Sequence, residues 1–285
     1  MSGQAPPRVL VFDSGVGGLS VAACIHEHLS GLEIVYLADN AGFPYGDKSE
    51  TVVIDRCCTL IARALELYPS DVIVVACNTA STVVLPHLRA MTRVPVVGVV
   101  PAIKPAAAKT MNRRIGLLAT PATVRRPYLD RLVEEFAGDC RVERIGHPGL
   151  VRWAEDLVSG TEVPFAELQA AMKPFRDADV DTVVLGCTHY PFLRAPIERY
   201  MGPGVNVIDS GVAIARRLET VLNELGWRRE RGEVGTIRLA TSGDPAVVGA
   251  VAELLFGEPV TVVDHAEDLA DTDFRAGDVP LGVIS

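Results

Sequence analysis

The chain has 285 residues, 48% of them hydrophobic, and a formal net charge of −9. That is enough apolar material for one large core or two ordinary ones, and the acidic balance offers no basic footprint for a nucleic-acid backbone, so a small water-soluble partner is expected. No apolar run approaches the roughly 20 residues of a membrane span, and the opening MSGQAPPR lacks the basic and apolar regions of a signal peptide, so the expectation is a cytoplasmic chain with no membrane partner.

Short apolar, β-branched runs alternate with helix-period segments from the start. The pattern predicts a strand over 9–12, a helix over 19–29, a strand over 33–37, a helix over 51–68, a strand over 72–76, a helix over 80–91 and a strand over 96–99. It then repeats, with a strand over 115–119, a helix over 127–136, a strand over 141–145, helices between 150 and 176, a strand over 182–185, a helix over 191–200 and a strand over 205–208. A helix over 211–225, a polar stretch over 226–235, a strand over 236–240, a helix over 245–256 and a strand over 260–263 follow. Residues after Asp268 carry little pattern and read as a loosely held tail.

The repeat has a register. Cys77 and Cys187 each end an apolar run, in VVACNTAS and VVLGCTHY, and the PVVG of 95–98 matches the VNVI of 205–208 at the same offset as the two Cys, 187 − 77 = 110 residues. Cys77 follows Asp13 by 64 residues, and Cys187 follows Thr120 by 67. The expected fold is therefore α/β: two pseudo-symmetric parallel-sheet domains with the active site in the cleft between them. The remaining segment is too short for a third core and is assigned back to the first domain, giving 1–98 plus 209–285 and an inserted 99–208.

In open parallel sheets ligands sit beyond the carboxyl ends of the strands, where Asp13, Cys77, Thr120 and Cys187 all fall. FDSGVGGLS at 12–20 offers a carboxylate and a hydroxyl in a tight glycine turn; a dinucleotide fingerprint is the rival reading, although Ser20 stands where its packing glycine belongs. DNAGFPYGDKS at 39–49 reads as a turn that can wall a ligand, with a hydroxyl from Tyr45 and an amide from Gly46. ACNTAS puts Cys77 before Asn78 and Thr79 at a helix start, whose amides bind carboxylates and lower a thiol pKa. GCTHYPFL repeats this with Thr188 and His189, the imidazole standing two residues from Cys187 either as a proton-transfer partner or as a helix cap. Glu155 lies on a helix whose apolar face is Leu150, Val151, Trp153, Ala154 and Leu157, and spacing alone makes it a solvated carboxylate.

Cys24, Cys57, Cys58 and Cys140 read as reduced, small core residues. There is no C-x-x-C pair and no zinc-type spacing among the six His, so no metal is expected. Nothing calls for pyridoxal phosphate or another cofactor, since none of Lys48, Lys104, Lys109 and Lys173 lies at a strand-end Cys motif.

The set FDSGVGG, PYGDKS, ACNTAS and LGCTHYP, in this order and spacing, resembles the cofactor-independent aspartate/glutamate racemase family over about 9–263. The resemblance implies interconversion of L- and D-glutamate, with D-glutamate supplied to peptidoglycan and no cofactor. It implies Cys77 and Cys187 as paired acid/base residues, Asp13 assisting the first, and His189 with Glu155 assisting the second. It implies that Cys187 takes the proton from the L-substrate and Cys77 from the D-substrate. Substrate contacts are implied from Asp13, Ser14, Tyr45, Gly46, Asn78, Thr79, Thr188 and His189. Two positions depart from the family pattern: Gly42 stands where members often carry Arg, and His147 where Cys-Pro is common. The alternatives are an isomerase acting on aspartate, a nicotinamide-dependent oxidoreductase using the glycine turn, and a regulatory protein binding DNA gyrase; a homodimer is allowed as the assembly.

Overall fold

In the computed structural model the described residues are 5–228, 235–257 and 261–262. The chain divides into two compact units, one that runs to Val99 and resumes at Gly211, and one from Val100 to Ser210.

The first unit begins with β1 (Arg8–Asp13), α1 (Leu19–His28) and β2 (Glu33–Ala38), then two 3-10 turns, Asn40–Gly42 and Tyr45–Asp47. It continues with α2 (Glu50–Leu67), β3 (Val72–Val75), α3 (Asn78–Met91) and β4 (Val96–Gly98). The second unit holds α4 (Ile103–Lys109), β5 (Arg114–Ala119), α5 (Pro121–Val124), α6 (Pro127–Ala137) and β6 (Arg141–Gly146). After these come α7 (Gly149–Val158), α8 (Phe165–Asp177), β7 (Thr182–Leu185), a 3-10 turn (Tyr190–Leu193), α9 (Arg194–Met201) and β8 (Asn206–Ile208). The chain then returns to the first unit with α10 (Gly211–Glu224), β9 (Thr236–Thr241), α11 (Ala246–Phe256) and β10 (Thr261–Val262).

One sheet has the order β10-β9-β2-β1-β3-β4 and the other β6-β5-β7-β8. All pairings are parallel. Set side by side, β2-β1-β3-β4 and β6-β5-β7-β8 are the same four-strand arrangement, so the repeat in the sequence is a repeat in topology. It extends to single bonds. The Ala76 amide donates to the Phe12 carbonyl and the Gly186 amide to the Leu118 carbonyl, each at 2.7 Å. The Asp71 amide donates to Arg8 at 2.8 Å and the Asp181 amide to Arg114 at 3.2 Å. The β1 and β9 strands flanking β2 shelter it, whereas β6 at the sheet edge is largely exposed.

Every residue of β3 and β7 is buried, which is why VIVV and TVVL show no alternation: helices cover both faces of a parallel sheet. In the first unit Leu10, Phe12, Ile73 and Val75 pack with Val53, Leu60 and Ile61 of α2. In the second, Leu118, Val183 and Leu185 pack with Leu150 of α7 and Leu168, Met172 and Phe175 of α8. Of the four Cys read as core residues, Cys57 is buried, while Cys24, Cys58 and Cys140 are half-buried.

Three elements differ from the sequence reading. The helix expected over 191–200 is instead a 3-10 turn followed by α9. Pro196 lacks an amide and its ring would crowd the carbonyl of Phe192, which disfavours one continuous helix here, and it falls within the first turn of α9, where the missing amide costs least. Helix α4 had no counterpart, because IKPAAAK is short, contains Pro105 and shows no apolar period. Helix α5 is a single turn, capped by the Thr120 side chain. The strand expected over 260–263 is described only at Thr261–Val262, and the tail after Asp268 and most of the 226–235 stretch lie outside the described residues.

Candidate active site

In the first unit the pairing of Phe12 with Val75 brings the ends of β1 and β3 level, so Asp13 and the residues after Val75 emerge at the same carboxyl edge. Asp13 has no solvent exposure, and its Oδ1 accepts the Gly15 amide at 2.9 Å. The turn after it is tight: a Cβ on Gly18 would lie 2.5 Å from Asp13 Cβ and 2.8 Å from the Tyr36 hydroxyl, so glycine is required for α1 to start this close. Tyr36 in turn donates to the Gly15 carbonyl at 2.7 Å. Gly18 therefore serves to seat Asp13.

Cys77 is the N-cap of α3, with its Sγ 3.7 Å from Ser14 Oγ. Asn78 and Thr79, the first helical residues, are buried beside it. The side-chain oxygen of Asn78 is buried with no hydrogen-bond partner among the described residues, so it is an acceptor still open to a donor such as an ammonium group.

The second unit places its thiol at the same point, directly after β7, but surrounds it differently. Cys187 Sγ lies 3.9 Å from His189 Nδ1, and His189 Nε2 lies 2.7 Å from Glu155 Oε1 on α7. An ionised carboxylate can only accept, so Nε2 carries the proton and Nδ1 turns its lone pair to the thiol. His189 is 3% and Glu155 23% exposed in this pair, so the carboxylate keeps contact with solvent while the imidazole does not. Thr188 is buried alongside. His189 makes no side-chain cap bond at the 3-10 turn it precedes.

Helix α7, which brings Glu155 to the imidazole, is seated by His147. Its Nδ1 accepts the Gly149 amide at 3.1 Å, and its ring lies 5.0 Å from that of Trp153. The departure at position 147 thus supplies both a polar hold on the first turn of α7 and an aromatic contact on its buried face.

The two thiols are equivalent in topology and unlike in chemistry. By strand register the position equivalent to Asp13 in the second unit is Ala119, and that equivalent to Ser14 is Thr120, whose side chain accepts from the Thr123 amide at 3.2 Å and caps α5. A carboxylate reaches Cys187 instead from α7, through His189. Cys77 caps a 14-residue helix, whereas Cys187 comes three residues before a four-residue 3-10 turn.

The wall loop also differs from expectation. The Tyr45 hydroxyl donates inward to Asp39 Oδ2 at 2.6 Å, and the residue is 2% exposed, so at this position the backbone is what can face a ligand; Gly46 follows within the same 3-10 turn. Asp39, Arg56 and Ser242, which hold Tyr45, were not singled out as site residues. Asp39 ends a strand just as Asp13 does, and that was the one signal for them. Among the described residues no cluster of three or more His, Cys, Asp or Glu is placed to hold a metal ion, and no helix is long and apolar enough to cross a membrane.

A duplicated parallel α/β chain thus carries one buried thiol after each of two homologous strands, Cys77 beside Ser14 and Cys187 beside the His189–Glu155 pair, the make-up of an enzyme. The Asp/Glu/Hydantoin racemase family model matches residues 16–218, and the chain belongs to that family. A glutamate racemase of Shewanella loihica is 50% identical over 215 residues, 75% of this chain and 81% of that protein. One of Klebsiella pneumoniae is 50% identical over 218 residues, 76% of this chain and 77% of that protein. The crystal structure of Escherichia coli glutamate racemase in complex with L-glutamate and the activator UDP-MurNAc-Ala is similar at 40% identity and TM-score 0.81, over 90% of this chain and 98% of that one.

Proposed function

We propose that this chain is a glutamate racemase: it interconverts L- and D-glutamate by a two-thiol, cofactor-independent proton transfer at Cα and supplies D-glutamate for peptidoglycan in the cytoplasm. The observation that carries the reading is the pair of homologous strand-end thiols in unlike surroundings, Ser14 beside Cys77 and the His189–Glu155 pair beside Cys187. The family membership and the L-glutamate bound by the similar E. coli enzyme support it.

Racemisation requires a base on one side of Cα and an acid on the other, with the roles exchanged in the reverse direction. One Cys is thiolate and its counterpart thiol at the start of each turnover. For L-glutamate, Cys187 is the base: His189 Nδ1 accepts its thiol proton, and the imidazolium formed is stabilised by Glu155 at Nε2. Cys77 then delivers its proton to the opposite face, and for D-glutamate Cys77 removes the proton with Asp13 as its partner. The α-proton is far less acidic than a thiol, so the planar carbanion needs fixed polar contacts to its ammonium and carboxylates. Ser14, the Tyr45–Gly46 backbone, Asn78, Thr79, Thr188 and His189 are assigned that task. Asn78 Oδ1 suits the ammonium, being an acceptor without a partner among the described residues.

A chiral assay of the purified protein with L-Glu, D-Glu, L-Asp and D-Asp tests the substrate. Glutamate should racemise in both directions and aspartate far more slowly, because a side chain shorter by one methylene leaves its carboxylate short of its contacts. Aspartate turnover equal to or faster than glutamate turnover would overturn the assignment. The assembly we expect is a homodimer, to be read from the sedimentation of the same preparation.

A further inference from the structure

Asp39, at the turn after β2, has no solvent exposure, yet its carboxylate accepts four hydrogen bonds. Oδ2 takes the Tyr45 hydroxyl at 2.6 Å and Arg56 Nε at 2.6 Å. Oδ1 takes a terminal guanidinium nitrogen of Arg56 at 2.5 Å and Ser242 Oγ at 2.5 Å. The Arg56–Asp39 contact is a parallel two-bond fork, a geometry that lysine cannot reproduce. Burial alone would raise the Asp39 pKa, but the bonds from Arg56, Ser242 and Tyr45 outweigh it and hold the carboxyl below its usual range. Gly42 keeps the site open, since a Cβ there would overlap the Arg56 guanidinium and Asp39 Oδ2.

The same cluster ties the wall loop to the returning C-terminal segment. Ser242 follows β9, and its Oγ also accepts the Ala41 amide at 3.2 Å. Asn40 donates to the Asp244 carbonyl at 2.6 Å and accepts the Gly243 amide at 2.8 Å. Strand β9 has no counterpart in the second sheet, which ends at β6, the equivalent of β2. A buried ion pair adds little net stability compared with apolar packing, so its value is the one arrangement it specifies. Here that arrangement is the path of the chain from Asp39 to Lys48, which ends in the Tyr45–Gly46 turn.

We propose that Arg56 and Ser242 are positioning residues for the racemase: by locking Asp39 and, through the Tyr45 hydroxyl, the Tyr45–Gly46 backbone, they fix the wall against which glutamate binds. The proposal rests on the glutamate racemase reading. Neither side chain handles a proton in the reaction, so loss of either one weakens substrate binding and leaves the chemical step intact.

The test uses Arg56→Lys, Ser242→Ala and Ser242→Thr in the full chain, with steady-state kinetics in both directions and amide hydrogen exchange. Arg56→Lys and Ser242→Ala should raise KM about tenfold, the scale of one charge-assisted hydrogen bond, with kcat changed by less than about twofold. Amides of the 40–48 loop should exchange faster in both variants while those of α3 stay as in the parent, and Ser242→Thr should restore both properties. Unchanged loop exchange, a fall in kcat at unchanged KM, or a lower melting temperature with neither effect would overturn the proposal. Failure of the parent protein to racemise glutamate would instead sink the functional reading, and the exchange data would still decide whether Arg56 and Ser242 hold the loop.

Discussion

Cys77→Ala and Cys187→Ala are each expected to abolish glutamate racemisation in both directions, with a loss of at least about 10²–10⁴-fold, the usual contribution of one acid or base. Loss of either thiol removes the base for one enantiomer and the acid for the other, so no direction survives. Both side chains are small, and Cys77 and Cys187 are 5% and 7% exposed, so replacement by alanine deletes one sulfur atom and should leave the melting temperature nearly unchanged. Circular dichroism at fixed protein concentration reads the activity, and thermal unfolding checks the fold. In deuterium oxide the parent enzyme should convert L-glutamate into early D-glutamate bearing deuterium at Cα, while the remaining L-glutamate keeps its protium. A single shared base would exchange substrate and product alike. Normal racemisation by either folded variant, or early exchange in unreacted L-glutamate, would exclude the paired-thiol mechanism.

These residues were legible because of how parallel sheets are made. The central strands β3 and β7 are buried on both faces and read as uninterrupted apolar runs, so the first polar residue after each run must emerge at the carboxyl edge. Cys77 and Cys187 are found by that rule alone, and the 110-residue offset then gives the repeated strand order. What the rule cannot give is side-chain partnership across the chain. Ser242 and Asp39 are 203 positions apart, and Arg56 sits amid a helix in which nothing marks it as the partner of a buried acid. Tyr45 illustrates the consequence: PYG marks a turn, but whether the hydroxyl faces a ligand or the core depends on Asp39. Thr120 shows the converse, a strand-end polar residue consumed by capping α5. The link from Glu155 to Cys187 was likewise out of reach of spacing, since it depends on how α7, seated by His147, meets the turn after β7.

The unlike surroundings of the two thiols lead to a separation that ordinary rates cannot show. L- and D-glutamate have equal free energy in water, so any variant must lower kcat/KM equally in the two directions, whichever thiol it impairs. The isotope effect of a substrate deuterium at Cα escapes this constraint, because it reports only how far removal of that hydrogen limits the rate. Asp13→Asn weakens Cys77, the base for D-glutamate, so the effect measured with deuterated D-glutamate should rise and that with deuterated L-glutamate should fall. Glu155→Gln removes the charge that stabilises the His189 imidazolium beside Cys187, and should shift the two effects in the opposite sense. Both variants should fold with near-normal thermal stability and lose most of kcat, by about 10²-fold or more. Measured on kcat/KM for each enantiomer, opposite displacements in the two variants assign Asp13 to one face and Glu155 to the other. Displacements in the same direction, or full activity in folded Asp13→Asn, would remove that division of labour from the mechanism.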